Sequence, residues 1–266
     1  MNKISVGQEQ VNGISVVINT YNASCHLQQV LDTVKGFDEV VVCDMESTDD
    51  TLDIAKRNGC KIVVFPRGNY QICEPARQTA IDAASCKWVL VVDADELITP
   101  ELKEYLYSLI EKEDAPQGLC VPRKSRFMGR FMHCFYPDYQ LRFFIRKDTV
   151  WPSIIHADPI IKGRIEKIPA THADMALVHL ADDSIASRMG KINQYTANEI
   201  EKKKDRNYGM AALFYRPLVR FFRAYIQKGG FRDGKEGFVC ACYEGIYQFV
   251  AVSKIIEDRL KHKKGK

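Results

Sequence analysis

Val89-Leu90-Val91-Val92-Asp93-Ala94-Asp95-Glu96 is the stretch whose reading decides the fold. A run of apolar, mostly β-branched residues that stops at acids reads as a buried strand delivering carboxylates to its end. Strands of that composition belong to sheets covered on both faces, as parallel sheets are. In an open α/β sheet, ligands bind beyond the carboxyl ends of the strands. Two carboxylates separated by one residue suit a hard divalent cation shared with phosphate oxygens, because Mg²⁺ takes only one or two carboxylates from a protein. The stretch points to a nucleotide-diphosphate and metal site. Taken alone, a strand end capped by solvated acids is the better reading, so its neighbours must decide.

Upstream, Ile14-Ser15-Val16-Val17-Ile18 predicts a strand ending at Asn19-Thr20-Tyr21-Asn22. Leu27, Val30, Leu31 and Val34 follow at helical spacing, with Ser24 as the expected cap. Glu39-Val40-Val41-Val42-Cys43 predicts a second strand that also stops at an acid, Asp44. Glu46-Ser47-Thr48-Asp49-Asp50-Thr51 then supplies hydroxyls and acids suited to the positive end of a helix that stops at Asn58-Gly59. Lys61–Phe65 is a third strand, Glu74–Ala84 a helix and Lys87–Val92 a fourth strand. Such alternation predicts a mainly parallel sheet with right-handed crossovers.

Downstream, Thr99-Pro100 opens a helix whose Leu102, Leu106, Leu109 and Ile110 share one face. From about Gly118 the pattern changes to strand-like pieces at Leu119–Val121, Gln140–Arg146 and Ala176–His179, a smaller mixed or antiparallel half. Ser184–Lys204 reads as a polar helix, and helical stretches follow around Pro217–Ile226 and Glu236–Arg259. The expected organisation is an α/β domain over residues 1–206, with a donor half (1–115) and an acceptor half (116–206), then a helical extension over 207–266.

Composition bounds the rest. With 266 residues, 46% hydrophobic and 27% charged, the chain is an ordinary globular sequence, and a net charge of +4 gives no argument for nucleic acid. Nine scattered cysteines without a C-x-x-C pair exclude a zinc ribbon and a thioredoxin motif and fit a reducing cytoplasm. Met1–Gly13 is polar, without a signal core, and no stretch reads as the roughly 18–20 apolar residues of a spanning helix. The expectation is a soluble or membrane-surface protein.

Three strand ends, Thr20-Tyr21-Asn22, Asp44 and Asp93 with Asp95, therefore share one sheet edge. The ring can stack on a base, Asp44 can accept the imide N–H of uracil, and the acid pair can hold ribose and metal. No G-x-G-x-x-G follows the first strand and there is no Walker loop, which disfavours a nucleotidyltransferase. Residues 17–22 (Val-Ile-Asn-Thr-Tyr-Asn), 41–51 (Val-Val-Cys-Asp-Met-Glu-Ser-Thr-Asp-Asp-Thr) and 88–96 (Trp-Val-Leu-Val-Val-Asp-Ala-Asp-Glu) resemble glycosyltransferase family 2. Pro137-Asp138-Tyr139-Gln140-Leu141-Arg142 and Gly230-Phe231-Arg232-Asp233-Gly234 are similar to its bacterial lipopolysaccharide-core subgroup, which often has His-Glu where this chain has His156-Ala157-Asp158.

The resemblance implies a Rossmann-like GT-A fold and inverting transfer from a nucleotide sugar, with UDP the expected nucleotide. It assigns Asp44 to the base, Asp93 to the ribose side and Asp95 to Mg²⁺ or Mn²⁺. Arg77 is expected on the donor phosphates, against the ordinary role of a solvated helix arginine; Arg142 on phosphate, acceptor or a structural ion pair. An inverting transfer needs a base for the acceptor hydroxyl. Asp138 is the first choice and Asp158 the second, with His156 as helper. His172 and His179 lack zinc spacing and read as ordinary histidines.

Leu218, Phe221, Phe222 and Tyr225 fall on one helical face beside Arg216, Arg220 and Arg223, and the tail from Arg259 is basic. That pattern suits either peripheral contact with the inner membrane, where a glycan or lipid-linked saccharide acceptor is met, or packing on the catalytic domain or a second subunit. The rival functions are a peptide or protein glycosyltransferase and a non-catalytic sugar-nucleotide or partner-binding module.

Overall fold

The computed structural model describes residues 11–70, 72–147, 149–153, 158–203 and 206–264. The chain divides into two compact units, Met1–Arg123 with Pro137–Leu180, and Lys124–Tyr136 with Ala181–Lys266.

The first unit is built on a mixed sheet. Its strands are β1 (Val11–Thr20), β2 (Glu39–Asp44), β3 (Lys61–Val64), β4 (Cys86–Asp93), β5 (Glu96–Leu97), β6 (Gly118–Phe127), β8 (Asp138–Ile145), β9 (Ile165–Lys167) and β10 (Leu177–Asp183), with β6 and β10 running on into the second unit. The order is β3-β2-β1-β4-β8-β6-β10-β5, with β9 beside β6. β3, β2, β1 and β4 are parallel, as the alternation of strand and helix requires. β8 is antiparallel to β4, and β6 to β8, so the pattern change after Gly118 is a change of strand direction.

Helices α1 (Ser24–Thr33), α2 (Thr51–Arg57), α3 (Glu74–Ala83) and α4 (Pro100–Ile110) cover the sheet. Alternate strand residues face opposite sides. Val16, Ile18, Val42, Leu90 and Val92 pack with Leu27 and Leu31 of α1 and Leu102 and Leu106 of α4. Val17, Val41, Val89 and Val91 pack with Ala76, Ala80 and Ile81 of α3, and with Trp151. Burial on both faces is why these strands read as continuous apolar runs. Trp88 stacks on Phe143 at 5.0 Å between ring centroids, which ties the antiparallel β8 to β4.

Register then aligns the strand ends. Thr20 is opposite Asp44, and Asn19 is opposite Asp93, so the polar termini of β1, β2 and β4 lie on one edge. The expected cap of α1 is replaced. Ala23, not Ser24, holds the N-cap position, and no side chain caps it locally. Instead the N–H groups of Asn22, Ala23 and Ser24 donate to Ser47 Oγ, Thr51 Oγ1 and Asp49 Oδ2 of the loop after β2. Donors at the start of one helix are thus met by the loop that starts the next. Thr99 does cap α4 as expected, its hydroxyl accepting from Leu102 N–H at 3.2 Å.

The second unit contains the end of β6, β7 (Arg130–Phe131), α5 (Ile185–Lys202), α6 (Ala212–Phe222) and α7 (Gly234–Lys264). Met128 and Gly129, at φ 51° and 82°, make the two-residue turn from β6 to β7. This unit takes in α5, which packs on α7: the Lys254 ammonium reaches the Asn193 side chain at 2.8 Å. α6 starts before Pro217 and carries it inside the helix, then continues as a π turn over Arg223–Gln227. Gly237 lies against the backbone of Gly230, where a Cβ would sit 1.9 Å from the Gly230 carbonyl oxygen, so glycine is required there.

One sequence expectation is corrected here. The segment Gly230–His262 is long and apolar enough to cross a membrane by length and composition, with a mean hydropathy of 1.3 over its best window. In the unit it serves as the central helix: Cys240, Ala241, Ala251, Val252 and Ile255 are buried, and Glu244 accepts from Arg220 at 2.9 Å.

Candidate active site

Beyond the aligned strand ends lies a cleft of about 910 Å³. Its walls include Asn19, Tyr21, Asn22, Arg77, Asp93, Asp95, Arg123, Asp138, Arg142, Asp158 and His179, all from the first unit. Eight of the ten expected site residues line it. Thr20 and Asp44 do not. They are buried together, Thr20 Oγ1 donating to Asp44 Oδ1 at 2.8 Å, while Ser47 donates to the same carboxylate through N–H and Oγ at 2.8 and 2.6 Å. Asp44 thereby orders the turn after β1 and the loop after β2. His156 lies outside the described residues.

Tyr21 stands at the rim, 39% exposed, with the Arg67 guanidinium 3.6 Å from its ring centroid. Next to it Asn22 adopts φ 47°, and its side-chain carbonyl accepts from Thr48 N–H at 2.8 Å. Asparagine tolerates this left-handed conformation better than most residues. Asn19 is buried beneath, and neither its side-chain oxygen nor its nitrogen has a partner among the described residues.

The end of β4 carries a buried ionic network. Asp93 accepts from Arg77 Nη2 at 2.7 Å and from Arg142 Nη2 at 2.5 Å. Glu96, fully buried, turns back to accept from Asp93 N–H and from Arg123 Nη1, each at 3.0 Å. Arg123 also grips Asp138 Oδ2, through Nη2 at 2.6 Å and Nε at 3.0 Å. Burial works against ionising Asp93, but the charges of Arg142 and Arg77 outweigh it and hold its carboxyl well below the usual range. Conversely, burial opposes the Arg77 charge, and Asp93 restores it with a margin. Both arginines keep capacity to spare, since Arg77 Nε and Nη1 and Arg142 Nε have no partner among the described residues.

This network sorts the acids that line the cleft. Asp93 and Asp138 have carboxylates committed to arginines; Asp138 Oδ1 also accepts from Gln140 Nε2 at 3.1 Å. Asp158 is exposed on the cleft wall. Asp95 meets His179, Oδ2 to Nε2 at 3.2 Å. Burial lowers the His179 pKa, yet the hydrogen bond and charge of Asp95 reverse that and leave it raised.

His179 is the residue that sequence reasoning set aside. β10 brings it there: it pairs opposite Glu96 of β5, one residue beyond Asp95. The nearest signal was its position at the end of an apolar strand, where the other site residues also sit. Asn19, Glu96 and Arg123 were given no role either, although Asn19 and Glu96 lie within the quoted motifs. His172 is exposed and does not line the cleft.

Among the described residues no group of three or more His, Cys, Asp or Glu is poised to hold a metal. Asp95 and His179 supply one carboxylate oxygen and one imidazole nitrogen. The carboxylate suits a hard divalent ion completed by phosphate oxygens and water, the imidazole nitrogen favours Mn²⁺ over Mg²⁺, and the pair does not suit a cation that needs an all-protein cage.

The profile of the family described as Glycosyl transferase family 2 matches residues 15–164. An uncharacterised glycosyltransferase of Rickettsia conorii is 27% identical, over 94% of this chain and 92% of that one. The lipopolysaccharide core biosynthesis glycosyltransferase LpsC of Rhizobium meliloti is 22% identical, over 92% of each. The mannosyltransferase PcManGT of Pyrobaculum calidifontis, solved with GDP-Man and Mn²⁺, superposes with a TM-score of 0.57 at 14% identity, over 94% of this chain and 88% of that one. The last is a likeness of fold, and it places the sheet among GT-A enzymes.

Proposed function

Because the chain belongs to glycosyl transferase family 2 and is a glycosyltransferase, we propose that it moves a sugar from a nucleotide-diphosphate sugar to a hydroxyl of a cell-surface glycan or lipid-linked saccharide, with inversion at the anomeric carbon. The observation that carries the reading is the convergence of Tyr21, Arg77, Asp93, Asp95, Arg142 and His179 on one cleft at the carboxyl edge of the parallel strands.

Tyr21 offers a ring face for the base, and UDP is the proposed nucleotide. Asp44 keeps the turn that carries Tyr21 in place. The unpartnered amide of Asn19 and the spare guanidinium donors of Arg77 and Arg142 suit ribose and diphosphate oxygens, groups otherwise costly to leave buried and unmatched. Asp93 fixes both guanidiniums. Asp95 and His179 would hold the divalent ion, which when bound neutralises charge growing on the departing nucleotide.

For the base, the geometry favours Asp158 over Asp138. The Asp138 carboxylate is held by Arg123 and Gln140, whereas Asp158 faces the cleft without such a clamp among the described residues. The lipopolysaccharide-core name of the Rhizobium relative supports the acceptor class. All nine cysteines are free, which supports residence in a reducing cytoplasm.

Thermal shift with a panel of UDP- and GDP-sugars, with and without Mn²⁺, tests the reading, together with release of the free nucleotide. A metal-dependent shift and slow nucleotide release with one donor class is the expected result. No shift and no release with any donor would favour a partner-binding module.

A further inference from the structure

Residues 206–232 contain no acid and six basic residues, Arg206, Arg216, Arg220, Arg223, Lys228 and Arg232. Within this segment α6 and the π turn after it form a continuous rod over residues 212–227, about 24 Å long at 1.5 Å per residue. The sequence pattern suggests one face of aromatics beside one stripe of arginines. The structure divides them otherwise. Phe221 and Tyr225 turn inward onto Phe238 of α7, at 5.5 and 5.7 Å between centroids. Arg220 pairs with Glu244, and Arg216 reaches Gln248 at 3.2 Å, both on α7.

What remains outside is a different and more apolar face. Phe214 is 70% exposed, Leu218 58%, Val219 61%, Phe222 55% and Ile226 55%. Their spacing of three and four residues places them along one side of the rod. Arg223 and Lys228 are exposed at its carboxyl end. A soluble protein rarely shows so many large apolar side chains in one stripe without a use for them.

We propose that this face of α6 docks the protein onto an anionic membrane surface, lying in the plane of the headgroups with Phe214, Leu218, Phe222 and Ile226 among the acyl chains. Charge complementarity selects the occupant. The exposed Arg206, Arg223, Lys228 and Arg232 of this acid-free segment attract anionic headgroups, whereas two copies of it would bring like charges together. The inference rests on the second unit alone and stands apart from the donor chemistry proposed above.

Co-sedimentation with phosphatidylcholine vesicles, with and without about a third phosphatidylglycerol, tests it. The full chain should pellet with the anionic vesicles, bind at least about tenfold more weakly to neutral ones, and be released by high salt. The triple substitution Phe214→Ser, Leu218→Ser, Phe222→Ser should lose that binding and keep its circular dichroism and donor thermal shift. In Leu218→Trp the new indole emission should shift blue and be quenched by brominated lipid only when vesicles are anionic. Absence of binding to anionic vesicles overturns the proposal. So does binding that the triple substitution leaves intact, or binding that resists both salt and alkaline carbonate. A dimer in sedimentation velocity that the triple substitution dissolves, without vesicle binding, would instead make the face a contact between copies.

Discussion

The Nε2 atom of His179 lies 3.2 Å from Oδ2 of Asp95, joining residues 84 positions apart at the mouth of the cleft. A carboxylate and an imidazole at that distance can close on one divalent ion. His179→Ala is expected to weaken Mn²⁺ binding about 10–100-fold, the range seen when support for a metal is removed, and Asp95→Asn by at least as much. Calorimetric titration with Mn²⁺ in the presence of UDP measures both. Unchanged affinity in His179→Ala would return His179 to the role of an ordinary histidine.

The clamp on Asp93 leads to a stability prediction. Arg142 is 4% exposed, and its removal leaves Asp93 and Glu96 short of a partner. Breaking a buried pair from one side costs about 3–5 kcal/mol. Arg142→Ala should lower the urea midpoint accordingly, with an unchanged denaturant slope. A midpoint within error of wild type would show that the network is dispensable.

The proposed stacking of the base on Tyr21 makes donor affinity depend on its ring. Stacking on an aromatic side chain contributes about 1–3 kcal/mol per base, so Tyr21→Ala should weaken UDP binding by roughly 5–150-fold, while Tyr21→Phe keeps most of it. Equal losses in the two variants would assign the effect to the hydroxyl instead.

The two candidate bases separate by kinetics. Asp158→Asn should reduce transfer about 10²–10⁴-fold with donor affinity intact, as expected for loss of a general base. Asp138→Asn, which loosens the grip of Arg123, should act chiefly on stability. Should Asp138→Asn abolish turnover in a fully folded protein while Asp158→Asn remains active, the assignment is reversed.

In the second unit, Asp233 is fully buried and accepts from the N–H groups of His133 and Cys134 at 2.8 and 3.0 Å. Burial would raise its pKa, but these hydrogen bonds and the His133 ring prevail and leave it lowered. A depressed carboxyl stabilises the fold above its unfolded pKa and loses that contribution as pH falls through the folded one. Denaturation profiles should therefore steepen below about pH 4, and Asp233→Asn should flatten that acid limb.

The strand series, the parallel half of the sheet, and the placement of Tyr21, Asp93 and Asp95 at its carboxyl edge were all legible in the order of residues. Burial of β1 and β4 on both faces demands continuous apolar runs, and each run had to stop where the sheet edge meets solvent. Helix ends were less legible. Ser24 looked like a cap, but donors at the start of α1 found Ser47, Asp49 and Thr51 across the loop. Hydrogen-bond partners that lie far apart in sequence leave no local signature.

Local pattern by itself thus determined the layered α/β architecture and the edge on which the polar strand ends gather, because periodicity and strand termination act over a few residues. Tertiary structure alone decided which charges remain available. Only the antiparallel return of β8 and β10 brings Arg142 to Asp93 and His179 to Asp95, committing one acid to ion pairs and leaving the other facing an imidazole. Electrostatic roles depend on distances across the sheet, and register between distant strands sets those distances.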